Sequence, residues 1–172
     1  MDMETQVRTI EPIGRSMTWR RAMKRCLWEK YARFQGRASR AEYWKFDITI
    51  KLFMRIFLPY QVADSLIKHE SYFGLTVYFA IWLLCMIPAL AVGVRRFHDI
   101  ELSGWWWLPI YAPVFIYEII AGNMPLSEGF GLVVGIWMFG AFLASVYLCC
   151  KPSQQGTNRY GEQPPETIKV SR

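Results

Sequence analysis

Two groups of charged residues in this sequence have types and spacings that could do chemistry. The first group lies just outside long apolar stretches and consists of Arg37, Arg40, Arg95, Arg96, His98, Asp99 and Arg159. Guanidinium groups bind phosphate through paired hydrogen bonds, and a helix N terminus favours the same anion. Ser39 can cap such a helix, with Glu42 completing a capping box. The first group therefore predicts an anion site, with a lipid headgroup as one natural ligand.

Two other interpretations of this first group stay open. Asp99 or Glu101 can pair with the arginines, which would make the group a structural clamp between two loops. His98 beside Asp99 is a residue pair used in acid–base catalysis, but neighbours in sequence usually point apart, and a single histidine does not define a catalytic site. We therefore expect no enzymatic activity and assign no catalytic residue.

The second group is a stripe of charges inside an apolar stretch. Asp47, Lys51 and Arg55 are spaced four apart and so share one helical face. At about 1.5 Å per residue, Arg55 lies about 16 Å beyond Trp44, and Glu118 reaches a similar depth in another stretch. Each such charge costs about 2.5–3.5 kcal/mol at the centre of a span, so the stripe should face protein or water. We predict that Arg55 pairs with Glu118.

This charged stripe also has two interpretations. It can be an internal ladder, with Asp47 bound to Lys51 and Arg55 bound to Glu118, that only assembles the helices. Alternatively, it can line a polar pathway or a ligand site within the membrane.

The elements that position both groups follow from the distribution of apolar residues in a chain of 172 residues, 53% hydrophobic. Four stretches are candidates to cross a hydrocarbon core of about 30 Å: residues 44–66, 72–94, 105–121 and 129–150. The second and fourth carry no charge, and the third carries only Glu118. We predict an all-α, polytopic membrane protein with four transmembrane helices in residues 44–150. Pro59 and Pro88 should kink the first two.

The positive charges orient these four spans. The net charge is +6, and sixteen of the twenty Lys and Arg residues fall on one side of the arrangement. Ten precede residue 44, two are Arg95 and Arg96, and four follow Cys150, whereas the other side receives only Lys68. Because cytoplasmic segments are enriched in Lys and Arg, both termini are expected in the cytoplasm.

Before the first span, residues 1–16 are expected to be a flexible leader and residues 17–43 a basic segment. Thr18 can cap a helix that runs through Phe34, with apolar residues at spacings of three and four. Such a basic, tryptophan-bearing amphipathic helix suits the surface of an anionic membrane leaflet. We therefore expect phospholipid, in particular anionic lipid, as a partner and no nucleic acid. Residues 151–172 form a cytoplasmic tail.

The four cysteines give no sign of a disulfide or a metal site. Cys26, Cys85, Cys149 and Cys150 lack metal-ligand spacing, and none is placed for an oxidised pair. No metal and no cofactor are expected. Gly131 and Gly135 form a G-x-x-x-G pattern that allows close helix packing, either within the chain or in a homo-oligomer.

Three short segments at the ends of the predicted spans carry a family resemblance. They are Phe34 to Trp44 (FQGRASRAEYW), Val94 to Trp106 (VRRFHDIELSGWW) and Gly156 to Gly161 (GTNRYG). Together they are similar to the boxes of the bacterial domain-of-unknown-function 805 family (DUF805) of small inner-membrane proteins. The resemblance implies a bacterial inner-membrane location and four helices. It carries over no catalytic residue, because no activity is established for the family.

Three functions are compatible with this pattern. The first is a non-enzymatic, oligomeric inner-membrane protein that conducts or binds a small ion or lipid through the charged stripe. The second is a membrane-anchored regulatory, envelope-stress or defence partner that docks proteins through its cytoplasmic boxes. The third is an enzyme that acts on lipid headgroups through the arginines, His98 and Asp99.

Overall fold

The computed structural model describes residues 16–109, 112–113 and 128–168, and all regular elements within these ranges are helical. Helix α1 covers Trp19–Lys24, α2 Arg40–Phe57, α3 Tyr60–Lys68, α4 Tyr72–Asp99 and α5 Glu128–Cys150. A π-helical turn, Arg25–Glu29, follows α1, and 3-10 turns cover Gly104–Trp106 and Pro165–Thr167. The predicted all-α class is confirmed for the described residues.

Helices α4 and α5 are long and apolar enough to cross a membrane. Only 22% and 17% of the residues in their most apolar stretches are buried, which is the reverse of a core helix in a soluble protein. They match the second and fourth predicted spans. Helix α4 differs in that it continues to Asp99 instead of ending at Val94, so Arg95, Arg96 and Asp99 lie in its last turns.

The stretch predicted as the first span is divided at Pro59, as expected for proline. Helix α2 begins at Arg40, ahead of the predicted start, and ends at Phe57, where Leu58 takes φ −128° and ψ 50°. Proline has no amide hydrogen and disfavours helical geometry in the residue before it. Most of the third predicted span, residues 105–121, lies outside the described residues, so the four-span arrangement stays a prediction.

The N-terminal helix is shorter than predicted. Thr18 caps α1, with its Oγ1 accepting a hydrogen bond from the amide of Arg21 at 3.3 Å, as expected. The helix does not run to Phe34, however, because the π-helical turn ends at Glu29 and Lys30 leaves helical geometry at φ −135°. A π-turn holds one more residue than an α-turn and shifts the helical face. Arg25 and Cys26 are consequently buried.

The core lies where the first half of α2 packs against the second half of α4. Its buried residues are Cys26, Ala38, Tyr43, Phe46, Ile50, Cys85, Val92, Phe97 and Cys149. Trp107 packs on this core, close to Gly93, where a Cβ atom would lie 2.4 Å from Cζ2 of the indole. Further along, α5 exposes large apolar side chains such as Leu132 and Ile136, as a helix in contact with lipid does.

Candidate functional site

Seven charged residues that are far apart in sequence meet at one end of α2 and α4. We call them the cap cluster: Arg25, Arg37, Glu42, Arg95, Arg96, Asp99 and Glu166. The side chains of Arg37, Glu42, Arg95, Arg96 and Asp99 have no exposed surface. Because an unpaired buried charge costs several kcal/mol, each of these groups needs its partner in place.

Glu42 is the acceptor at one end of the cap cluster. Its Oε1 lies 2.6 Å from Nη1 of Arg95, and its Oε2 lies 3.1 Å from Nη1 of Arg25. The same Arg25 nitrogen lies 3.2 Å from Oε1 of Glu166, which also accepts a 2.7 Å hydrogen bond from the hydroxyl of Ser39. Ser39 caps α2 as predicted, but the Glu42 carboxylate binds arginine instead of completing a capping box.

Asp99 is the acceptor at the other end of the cap cluster. Its Oδ1 lies 2.9 Å from Nε of Arg37, and its Oδ2 accepts a short hydrogen bond from Nη1 of Arg96. The pairing between Arg37 and Asp99 is the contact that the clamp interpretation requires. It joins the loop before α2 to the end of α4.

The remaining donors of these two arginines bind main-chain carbonyl groups near the end of the chain. Arg37 donates to the carbonyl oxygen of Gly156 at 2.6 Å and to that of Gln154. Arg96 donates to the carbonyl oxygen of Cys149 at 3.1 Å and to that of Lys151. The cap cluster therefore also holds the tail and the end of α5.

The other predicted site residues lie at the edge of the cap cluster. Arg40 is exposed and donates to the carbonyl oxygen of Cys150 at 3.3 Å. His98 stacks on Tyr160 with ring centroids 3.8 Å apart, and its Nδ1 lies 3.2 Å from the carbonyl oxygen of Gly36. Arg159 donates to the carbonyl oxygen of Glu101 at 2.8 Å. The three boxes of the sequence thus meet in one place.

Burial shifts the pKa of two groups beside the cap cluster. It raises the pKa of the Cys26 thiol to about 12, and the negative charge of Glu42 adds to this effect. Burial also lowers the pKa of the Lys30 ammonium group; the negative charges of Glu42 and Glu166 oppose this effect, and the positive charges of Arg95 and Arg25 add to it. Burial beside the cap cluster therefore disfavours the charged form of both groups.

The charged stripe is separate from the cap cluster. Nζ of Lys51 lies 2.8 Å from Oδ2 of Asp47, which is the first rung of the predicted ladder. Arg55 is exposed on the same helix. Glu118 lies outside the described residues, so the pairing of Arg55 with Glu118 stays a prediction.

Sequence reasoning missed Arg25 and Glu166 as site residues and gave Glu42 a capping role only. Arg25 lies in a basic run that reads as an exposed face, and only the π-turn directs it inwards. Glu166 lies in a polar tail with no local signal. Glu42 was recognised in the sequence, but only as a capping residue, because an acidic side chain three positions after an N-cap usually binds locally.

His98 and Asp99, the residues considered for acid–base catalysis, have different partners in the structure. Asp99 binds two arginines, whereas His98 stacks on Tyr160 and interacts with a main-chain carbonyl group, so they form no acid–base pair. Among the described residues, no three His, Cys, Asp or Glu side chains come together as metal ligands. The cap cluster is arranged to hold chain segments together.

Comparison with known proteins agrees with the positions of the three boxes. Residues 31–162 match the model of the family described as "Protein of unknown function (DUF805)". The chain is 27% identical over 136 residues to the inner membrane protein YhaI of Escherichia coli K12, covering 79% of this chain and 89% of YhaI. It is 26% identical over 137 residues to the inner membrane protein YhaH of the same strain, covering 79% and 90%. No solved structure matches.

Proposed function

This chain belongs to the DUF805 family of proteins of unknown function, and from that premise we propose that it is a non-enzymatic, oligomeric inner-membrane protein whose charged stripe binds or conducts a small ion. Its similarity to two inner membrane proteins supports the location. The apolar helices α4 and α5, with α2 and residues 105–121, make up four spans in this proposal. The excess of Lys and Arg on one side of these spans supports a cytoplasmic position for both termini.

The observation that carries the proposal is the exposure of cations on α2. The Lys51 side chain is 64% exposed although its partner Asp47 is buried, and Arg55 is exposed one turn later. Leu52 and Ile56, their neighbours on the helix, are exposed apolar residues. Lipid is a costly environment for the two cations, so another protein surface or water must cover them. A second copy of the chain around a hydrated path meets this requirement.

The N-terminal segment fits a position on the membrane surface. Trp19 and Trp28 are exposed, as are the basic residues Arg20 and Lys24. Exposed indole rings beside cations suit the headgroup region of an anionic leaflet. Anionic phospholipid is therefore the expected partner of α1.

Ion flux from liposomes that contain the purified full-length protein tests the proposal. We expect chloride or potassium efflux above that of empty liposomes, with Lys51→Leu and Arg55→Leu each reducing it to background. Lys68→Leu is the matched control, because Lys68 is an exposed lysine on α3 paired with Asp64. Absence of flux from the unmodified protein, or equal flux from all variants, would contradict the proposal.

The ladder interpretation of the same stripe has its own test. If Arg55 pairs with Glu118, Arg55→Leu and Glu118→Leu should each lower the yield of folded protein, and the double variant should recover part of it, because no charge then lacks its partner. A double variant tolerated no better than either single variant would exclude the pairing. Recovery of folding together with loss of flux would assign the stripe both roles.

A further inference from the structure

A cleft of about 380 Å³ lies between the π-turn, the loop before α2 and the tail. It is lined by Arg25, Glu29, Lys30, Gly36, Arg37 and residues 162–165. None of these residues belongs to α4 or α5, the two helices suited to a membrane. The cleft is also distinct from the charged stripe on α2, which lies in another part of the chain.

Lys30 differs from the other cations around this cleft. Arg25 and Arg37 contribute to the lining, but their guanidinium groups bind Glu42, Glu166 and Asp99. Lys30 is half-buried, and in the described part of the chain its ammonium group makes no side-chain hydrogen bond and no close ion pair, although the negative charges of Glu42 and Glu166 act on it from a distance. Its ammonium group brings three hydrogen-bond donors. Burying a cation without a partner is unfavourable, and an anion in the cleft would remove that penalty.

The charged groups around the cleft also carry a net positive charge. The cap cluster contains four arginines and three carboxylates, and Lys30 adds another positive charge. Of the two acidic residues in the lining, Glu29 pairs with Lys24 at 3.5 Å, and Glu162 is exposed. With Lys24, Glu29 and Glu162 included, six positive and five negative groups surround the cleft, so it has room for a polyatomic anion and a net charge of +1 beside it.

We propose that this cleft binds a phosphate group, with Lys30 as its principal ligand, beside the paired guanidinium groups of Arg25 and Arg37. The volume exceeds what a phosphate alone needs, so a small phosphorylated solute fits. The lining lies outside the two apolar helices but includes the π-turn of the segment proposed to lie on the membrane surface, so both a water-soluble phosphate and a lipid headgroup can reach it. Both share the phosphate chemistry, and the experiment separates them.

The test uses the full-length protein in nanodiscs of phosphatidylcholine and measures thermal unfolding against inorganic phosphate, with chloride holding the ionic strength constant. We expect a saturable rise in the unfolding temperature. Lys30→Gln should weaken phosphate binding by about tenfold or more, the effect of one charge-assisted hydrogen bond. Lys30→Arg should retain binding. Arg20→Gln, which removes an exposed cation of α1 that does not line the cleft, is the matched control.

Two further outcomes decide the proposal. In the absence of phosphate, Lys30→Gln should be at least as stable as the unmodified protein, because it removes a half-buried cation. Stabilisation by phosphatidylglycerol nanodiscs without added phosphate, and dependent on Lys30, would identify a headgroup as the source of the phosphate. No stabilisation in either arm, or stabilisation that Lys30→Gln leaves unchanged, would overturn the proposal.

Discussion

Glu42 and Arg95 form an ion pair of 2.6 Å in which neither side chain has any exposed surface. Glu42 lies in the first turn of α2 and Arg95 near the end of α4, 53 positions later. The pair therefore sets how these two helices pack. Its length and burial make it sensitive to loss of either partner.

Glu42→Gln is expected to destabilise the protein by about 3–5 kcal/mol, because Arg95 and Arg25 would both lose a buried anionic partner. Denaturant or thermal unfolding in detergent measures the change. Glu29→Gln removes an exposed pair with Lys24 and should change stability by less than about 1 kcal/mol. Equal effects of the two substitutions would show that the buried pair does not stabilise the fold.

Arg37→Lys should release the tail while leaving α4 and α5 in place. Arg37 uses three nitrogens to reach Asp99 and the carbonyl groups of Gln154 and Gly156. A lysine has one nitrogen on a flexible stem and cannot reproduce this planar arrangement. Hydrogen exchange of residues 153–168 should become faster.

Arg159→Lys is the control for that experiment, since Arg159 is exposed and donates one bond to the carbonyl oxygen of Glu101. It should leave the exchange of the tail almost unchanged. If Arg37→Lys also leaves it unchanged, Arg37 does not hold the tail.

The Cys26 thiol should make stability depend on pH in the alkaline range. Its pKa in the folded protein is about 12, against 9.0 as the ordinary value. Below pH 9 the thiol is protonated in both states and its contribution is fully present. Above pH 9 the unfolded chain loses the proton while the folded chain keeps it, so stability falls until about pH 12, at about 1.4 kcal/mol per pKa unit.

Cys26→Ala isolates this effect. The variant should lose some stability at every pH through the missing sulfur, but its curve should fall less steeply between pH 9 and pH 12. Parallel curves for the two proteins would mean that Cys26 does not titrate differently on folding.

Gly93→Ala should destabilise the packing of the segment that follows α4. A Cβ atom at position 93 would meet the indole of Trp107 at 2.4 Å, which is shorter than side-chain contacts allow. The ring must move away from the core, at a cost of about 1–3 kcal/mol. Gly140→Ala, in α5, meets nothing within 4 Å and should be neutral or slightly stabilising. A comparable loss of stability in both variants would argue against a specific contact with Trp107.

The parts of this fold that the sequence predicts are those set by local composition. The apolar runs of α4 and α5 are long and unbroken, and Thr18 and Ser39 cap helices through atoms within three residues. The partners of Arg25 depend on tertiary packing instead. A π-turn of five residues changes which face of the helix is buried, and no periodic pattern predicts it.

In the candidate site too, the sequence predicts which residues come together but not which of them form pairs. Arg37, Arg95, Arg96 and Asp99 are predicted as one group because their segments lie at the ends of spans on the same side. The sequence does not show which carboxylate pairs with the arginines, because Asp99 and Glu101 are equivalent candidates. The position at which α4 ends decides between them. Glu101 lies beyond the helix with φ 64°, and its backbone amide donates a hydrogen bond to the carbonyl oxygen of His98. Asp99 is still helical.

The contact between Arg25 and Glu166 also has a consequence for biosynthesis. The two residues are 141 positions apart, so they cannot meet until nearly the whole described chain has left the ribosome. Before then Arg25 and Arg37 lack their tail partners, and in the proposed topology their charges are available to keep the N-terminal segment on the cytoplasmic side during insertion. Once the tail arrives, Glu166 pairs with Arg25, and the carbonyl groups of Gln154 and Gly156 accept hydrogen bonds from Arg37. In the proposed topology, charges that help to orient the nascent chain are thereby withdrawn from the surface after the tail has folded against them.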